Sequence, residues 1–255
     1  MKRSLVMKTC SALGAAALLL SASSDARAVE LGTPATEHPF RTAQNFALEI
    51  RVSPYYPQVD DDPKLNGQKP FDNNFGNKAR VLIAFELDWQ TLRIPHFGTI
   101  GPGVGVGSVS MSRTVETATG RTSGDETSLS IYPFWGVAVL RADALWRGSG
   151  FPIVPYAKGG LGLGIWRASN SGGTAKAADG VSGKGTSWGT NFALGVGFAL
   201  DAIDRGASRN MDNATGINNT YVFLEAYWLT LDGLGQSNAL HVGTNTWSTG
   251  LAFEF

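Results

Sequence analysis

The stretch that most constrains this chain is its last eleven residues, 245–255 (NTWSTGLAFEF). Successive side chains of an extended strand point to opposite faces. Trp247, Thr249, Leu251, Phe253 and Phe255 therefore share one face, and Ser248, Gly250, Ala252 and Glu254 the other. The first face suits hydrocarbon and the second a narrow polar interior. The chain ends on Phe255, whose terminal carboxylate must reach water beside an apolar row, which places it at an interface.

The same alternation recurs upstream. In residues 44–53, Phe46, Leu48, Ile50 and Val52 point outward and Ala47, Glu49 and Arg51 inward. Residues 79–90 set Val81, Ile83, Phe85, Leu87 and Trp89 against Leu82, Ala84, Glu86 and Asp88. Residues 98–111 set Val104 and Val106 against Gly101, Gly103, Gly105 and Gly107. Residues 127–145 offer Leu129, Ile131, Trp135, Val137 and Val139 as an outward row, with Arg141 on the same face. A lipid-facing Arg costs roughly 2–4 kcal/mol at mid-membrane and little near the headgroups, so Arg141 is expected at the rim. Residues 153–167 alternate Leu161, Leu163 and Ile165 with Gly160, Gly162 and Gly164. Residues 187–200 place Trp188, Phe192, Leu194, Val196, Phe198 and Leu200 outward and Gly189, Asn191, Ala193, Gly195 and Gly197 inward. Residues 219–231 alternate Val222, Leu224, Ala226 and Trp228 with Tyr221, Phe223, Glu225 and Tyr227.

With the closing strand this predicts an all-β chain of eight strands. The segments at 54–78, 112–126 and 168–186 read as long loops, whereas 91–97 and the RGSGFP stretch are short turns; only 201–218 breaks the long and short alternation. Trp89, Trp146, Trp166, Trp188, Trp228 and Trp247 fall at strand ends, where aromatic girdles sit at membrane interfaces, and Trp135 does not. In hydrocarbon an unpaired backbone N–H or C=O costs several kcal/mol, so such strands must close into a barrel without edges. The expected fold is an eight-stranded antiparallel up-and-down transmembrane β-barrel over residues 44–255.

The amino terminus agrees with export. Lys2, Arg3 and Lys8 precede an apolar run at 12–20 and an A-x-A pattern at Ala26, Arg27 and Ala28, which reads as a cleaved signal peptide over 1–28. The run is too short to span a bilayer as a helix. Residues 29–43, with Pro34 and Pro39, read as a periplasmic lead. Cys10 is the single cysteine, so cleavage removes disulfides, thiol catalysis and thiolate metal sites. A formal net charge of +0 gives no indication of nucleic acid as a partner.

Eight strands leave an interior just wide enough for side chains to fill. Glu49, Arg51, Glu86, Asp88, Lys158, Glu225 and Glu254 all fall on inward rows and are expected to form a buried charge network. Two roles suit it, a rigid polar plug or a gated ion path, and the plug is favoured. No catalytic residue, cofactor site or metal site is assigned. His38, His96 and His241 each stand apart, and only His241 shares a loop with Asp232 and Ser237. Asp60, Asp61 and Asp62 offer carboxylate oxygens without the spacing of an EF-hand. The glycine runs at 101–107 and 159–164 lack the helix that a phosphate loop requires.

Taken together, the leader, the alternating strands and the LAFEF ending resemble the small bacterial outer-membrane barrels of the OmpA membrane domain, OmpX and OmpW type. They are also similar to an uncharacterised family of barrels known from myxobacteria. The resemblance implies outer-membrane lipid as surroundings, and it implies that Trp247, Leu251, Phe253 and Phe255 form the signal read by the barrel-insertion machinery. It departs from full-length OmpA in lacking a peptidoglycan-binding domain. The function it implies is structural or surface-interactive without catalysis. A narrow pore or OmpW-like conduit is the alternative, and a lipid hydrolase at the outer rim, built on His241, is a third reading.

Overall fold

The computed structural model describes residues 29–30, 45–116, 122–176, 180, 182–236 and 239–255. The leader, the lead over 31–43 with His38, and Ser237 lie outside the described residues. The eight principal strands are β1 (Phe46–Tyr55), β2 (Arg80–Trp89), β3 (Gly98–Glu116), β4 (Thr122–Arg141), β5 (Ile153–Asn170), β6 (Lys184–Ala199), β7 (Asn219–Thr230) and β8 (Thr244–Glu254). Each pairs antiparallel with its neighbours in sequence. β8 closes on β1, from Thr249 opposite Val52 to Glu254 opposite Ala47. The chain is therefore a closed eight-stranded up-and-down barrel. Phe46 N–H donates to Phe255 O and Phe255 N–H to Phe46 O, both at 2.9 Å, which locks the two ends of the meander together. We call this the termini end and the opposite one the loop end.

The outer wall is apolar. Ile83, Phe85, Val104, Leu161, Phe192, Leu194 and Leu224 are all exposed on it. Trp188, Trp228 and Trp247 ring its loop end, while Trp89 stacks on Phe46 at the termini end, with ring centroids 6.3 Å apart. Two of the expected girdle residues turn inward instead. Trp166 packs against the apolar core. Trp146, on α2 (Ala144–Ser149), covers the termini end and donates to Asn219 Oδ1 at 3.2 Å.

β4 faces the opposite way from the sequence expectation. Leu129, Ile131, Trp135, Val137, Val139 and Arg141 are buried in the lumen, and Tyr132 and Phe134 form the outer row. Both faces of this segment are apolar, so its own alternation does not choose between them; the neighbouring strand does. A Cβ on Gly105 would lie 2.2 Å from Trp135 Cε2, and one on Gly103 would lie 3.1 Å from Val139. The inward glycine row of β3 is thus the space that the bulky row of β4 fills, a complementarity that close-packed interiors demand.

Two segments expected as loops continue instead as strands. β3 to β6 run 19, 20, 18 and 16 residues, against 10, 10, 12 and 11 for β1, β2, β7 and β8. A four-stranded wall therefore stands beyond the loop end, with the two-residue strand Gly173–Thr174 folded back on β5. Its Ser- and Thr-rich residues carry no apolar alternation, so the pattern that marks the lower strands is missing there. The first loop keeps its expected irregularity but folds over the mouth, with α1 (Pro70–Phe75) burying Phe71. Residues 201–218 hold α3 (Arg205–Thr215), begun by Asp204, which accepts from the Gly206 and Ala207 N–H at 2.9 Å, and ended at Gly216 with φ 74°.

The lumen has two layers. Toward the loop end Tyr55, Leu82, Val109, Met111, Leu129, Ile131, Leu229, Leu231 and Val242 form an apolar core, closed over by Val59 and Phe71. Toward the termini end the inward rows are charged and aromatic. This apolar half corrects the expectation of a polar interior drawn from the closing strand.

Leu194, which is 59 % exposed on the outer wall, is expected to lose about 2–4 kcal/mol of bilayer stability on Leu194→Arg, while Ala193→Ser stays mild. Reversible urea unfolding in vesicles checks both. Equal tolerance would contradict the assigned faces. By the same method, Gly105→Val should destabilise by about 1–3 kcal/mol through overpacking against Trp135, and Gly136→Ala, which meets open space, should not.

Candidate functional site

The charge network forms because adjacent strands present it at matching levels. Glu49 and Arg51 rise from β1, Glu86 and Asp88 from β2, Arg141 from β4, Lys158 from β5, Glu225 from β7 and Glu254 from β8. All seven residues expected from sequence are buried together. The eighth, Arg141, was expected at the lipid rim and instead sits in the network because β4 is reversed.

Three cations organise it. Arg51 lies 2.7 Å from Glu49, 3.1 Å from Glu86 and 2.8 Å from Glu225. Lys158 Nζ lies 2.6 Å from Glu49, 2.5 Å from Glu86 and 3.4 Å from Glu225. Arg141 reaches Glu49 and Asp88 at 3.3 Å and Glu254 at 3.1 Å. Glu49 is thus the hub, touched by all three. Neutral donors complete the shell: Gln90 Nε2, Asn219 Nδ2 and the Tyr221 hydroxyl each donate to Glu254 at 2.9 Å, and Trp135 Nε1 donates to Glu86. Aromatic faces line the cations, with Arg51 5.5 Å from the Trp135 ring and Lys158 5.0 Å from that of Tyr156.

Five carboxylates face these three cations, an imbalance of two negative charges in a desolvated space. A buried charge is expensive unless paired. Asp88 carries the loosest bond, since its Oδ1 has no hydrogen-bond partner and its Oδ2 meets Arg141 only at 3.3 Å. Glu49, Glu86 and Asp88 also bring carboxylate oxygens within 4.8 Å of one another, the arrangement that could hold a metal ion. The Lys158 ammonium already occupies the approach to Glu49 and Glu86, so the positive charge there is built into the chain. Beside the cluster a cavity of about 10 Å³, lined by Glu49, Arg141, Tyr156 and Tyr221, has room for about one water.

At the mouths the charges serve structure. Asp143, between β4 and α2, pairs with Arg147 Nε at 2.7 Å, and burial with help from Glu254 pushes its carboxyl up to about 7. Asp60 accepts from the Phe71 and Asp72 N–H at 2.7 and 2.8 Å, and Asp62 from the Lys64 N–H at 3.0 Å, so these two of the three consecutive aspartates hold the first loop in shape. Burial and the neighbouring Asp72 push the Tyr56 hydroxyl up.

The histidines do not assemble a site. His96 sits in the turn before β3 with φ 60°, at the termini end, and His241 precedes β8 at the loop end. Asp232 accepts the Leu234 N–H at 3.0 Å; among the described residues neither histidine is hydrogen-bonded to a carboxylate or hydroxyl. Of the four residues read as an insertion signal, Trp247 and Leu251 are exposed outward, Phe253 lies on the same face, and Phe255 stacks on Phe46 at 6.1 Å.

No described protein family and no curated protein matches the sequence. Solved structures do resemble it. Ail, the attachment invasion locus protein of Yersinia pestis, is 13 % identical over 83 % of this chain and 97 % of that one, with a TM-score of 0.39. The N-terminal β-barrel domain of Pseudomonas aeruginosa OprF is 11 % identical over 83 % and 99 %, at 0.38. The outer membrane protein OprG from the same organism is 9 % identical over 84 % and 97 %, at 0.44. At such identities the likeness is one of backbone course.

Glu49→Gln is expected to cost about 3–5 kcal/mol, because it leaves buried cations short of a partner. Asp88→Asn, which reduces the imbalance, should cost less than about 1 kcal/mol or stabilise. Unfolding free energies in micelles decide between them, and a larger loss for Asp88→Asn than for Glu49→Gln would contradict this account of the network.

Proposed function

We propose that the protein is an integral bacterial outer-membrane barrel, exported through a cleaved leader, with a structural or surface-interaction role and no catalysis. The observation that carries this reading is the inversion of polarity: an apolar wall outside and a buried ion network within. A water-soluble barrel has the opposite requirement, since exposed apolar patches of this extent mark an interaction surface or a membrane. The termini end then faces the periplasm, and the long wall of β3 to β6 faces outward. Trp247, Leu251, Phe253 and Phe255, on the outer face of the last strand, are suited to engage the barrel-insertion machinery during assembly.

The lumen supports a plug over a path. Each cation is bound to three carboxylates, and moving one would strand charge in a low-dielectric space. Above the network the apolar layer is filled by side chains and lidded by Phe71. The conduit alternative needs an apolar interior that opens sideways, whereas every seam of the barrel is paired. A rim hydrolase would need a base held by a partner, and among the described residues no carboxylate or hydroxyl is hydrogen-bonded to His241.

Planar-bilayer recording on the refolded chain tests the reading. A closed plug predicts no unitary conductance above the lipid background, and Lys158→Met should leave it closed while lowering stability. Stable conductance steps from the unaltered chain would establish a pore and refute the plug.

A further inference from the structure

Just above the apolar wall two like charges stand side by side. The outer row of β5 runs Ile153, Pro155, Ala157, Gly159, Leu161, Leu163 and Ile165 before reaching Arg167. Tilted strands rise about 2.5 Å per residue along the barrel axis, so the row from Ile153 to Ile165 covers about 30 Å, the thickness of a hydrocarbon core. Arg167 is the first outward residue beyond it. On β6 the outward order toward the loop end is Trp188, Thr186, Lys184, and Lys184 is the register partner of Arg167. Both are exposed, and among the described residues neither forms an ion pair with a carboxylate.

Like charges directly opposite in an antiparallel pair repel. Neighbouring hydroxyls add donors: Ser130 lies opposite Arg167 on β4, its Oγ 3.1 Å from that of Ser110, and Thr186 is exposed beside Lys184. We propose that Arg167 and Lys184, with Ser130 and Thr186, bind the phosphate headgroup of a lipid in the leaflet at the loop end. A phosphate there relieves the repulsion and meets both a guanidinium fork and an ammonium point charge. The apolar row beneath, with Ile165 and Trp188, takes the acyl chains, which selects a lipid over a free anion. The site rests on the membrane location proposed above.

The test uses the full chain refolded into bilayers of phosphatidylcholine containing a minor share of phosphatidic acid, with retained lipid weighed on the intact protein after release. The unaltered barrel should retain phosphatidic acid in preference to phosphatidylcholine. The double variant Arg167→Gln/Lys184→Gln should lose that preference by about tenfold. The charge-keeping Lys184→Arg should keep it, and so should Lys78→Gln, in the loop before β2 on the far side of the barrel. Equal retention by the double variant, or no preference in the unaltered chain, overturns the site. Inorganic phosphate displacing the lipid at comparable concentration also overturns it, because the acyl row then contributes nothing. Failure of the unaltered chain to insert sinks the membrane reading, and the proposal with it.

Discussion

The barrel depends on complete pairing of its backbone. A β-sheet with an apolar outer face cannot leave an edge of unpaired N–H and C=O groups in hydrocarbon, and the bonds between β8 and β1 remove that edge. Closure at eight strands then fixes the diameter, and the diameter fixes what the inward rows can be. Where one strand presents bulk, its neighbour must present nothing, as Gly105 does beneath Trp135 and Gly195 beneath Tyr156. These inward glycines are therefore the complement of particular bulky side chains on the neighbouring strands.

The narrow lumen explains both of its layers. Apolar side chains fill the half beneath the first loop, where a lid of Val59 and Phe71 keeps water out. Ionised side chains fill the half nearest the termini, where Glu49 joins Arg51, Arg141 and Lys158 into one connected set. Pairs so fully desolvated hold only when every member is bound, so the network ties β1, β2, β4, β5, β7 and β8 across the barrel as well as around it. The outer hydrogen bonds give the wall its continuity, and the inner ion pairs prevent it from collapsing or shearing. For a protein proposed to act by presenting a rigid wall at the cell surface, that rigidity is the useful property.

Much of this was legible in the residues. The strand count, the closure and seven of the eight network members follow from alternation alone, because an outward leucine beside an inward glycine or glutamate leaves one arrangement. β4 was not legible. With Leu129, Ile131, Trp135, Val137 and Val139 on one face and Tyr132, Phe134 and Leu140 on the other, its two rows are similarly apolar. The choice depends on cavities in β3 and β5 that a single segment does not display. The signal that could have decided it was Arg141, which is costly toward lipid and natural beside inward carboxylates. The extensions of β3 to β6 were missed for a different reason: above the bilayer level both faces meet water or loop, and the polar sequence there no longer alternates.

The central claim is that odd-numbered residues of β4 from 129 to 141 face the lumen and the even-numbered ones between them the lipid. Nitroxide scanning from 129 to 139 in bilayers, with accessibility to oxygen and to a water-soluble nickel reagent read at each position, tests it most directly. The account predicts oxygen-accessible labels at 132, 134, 136 and 138, and labels protected from both reagents at 129, 131, 135, 137 and 139. Oxygen accessibility on the odd positions, or protection on both faces as in a water-soluble core, would contradict it.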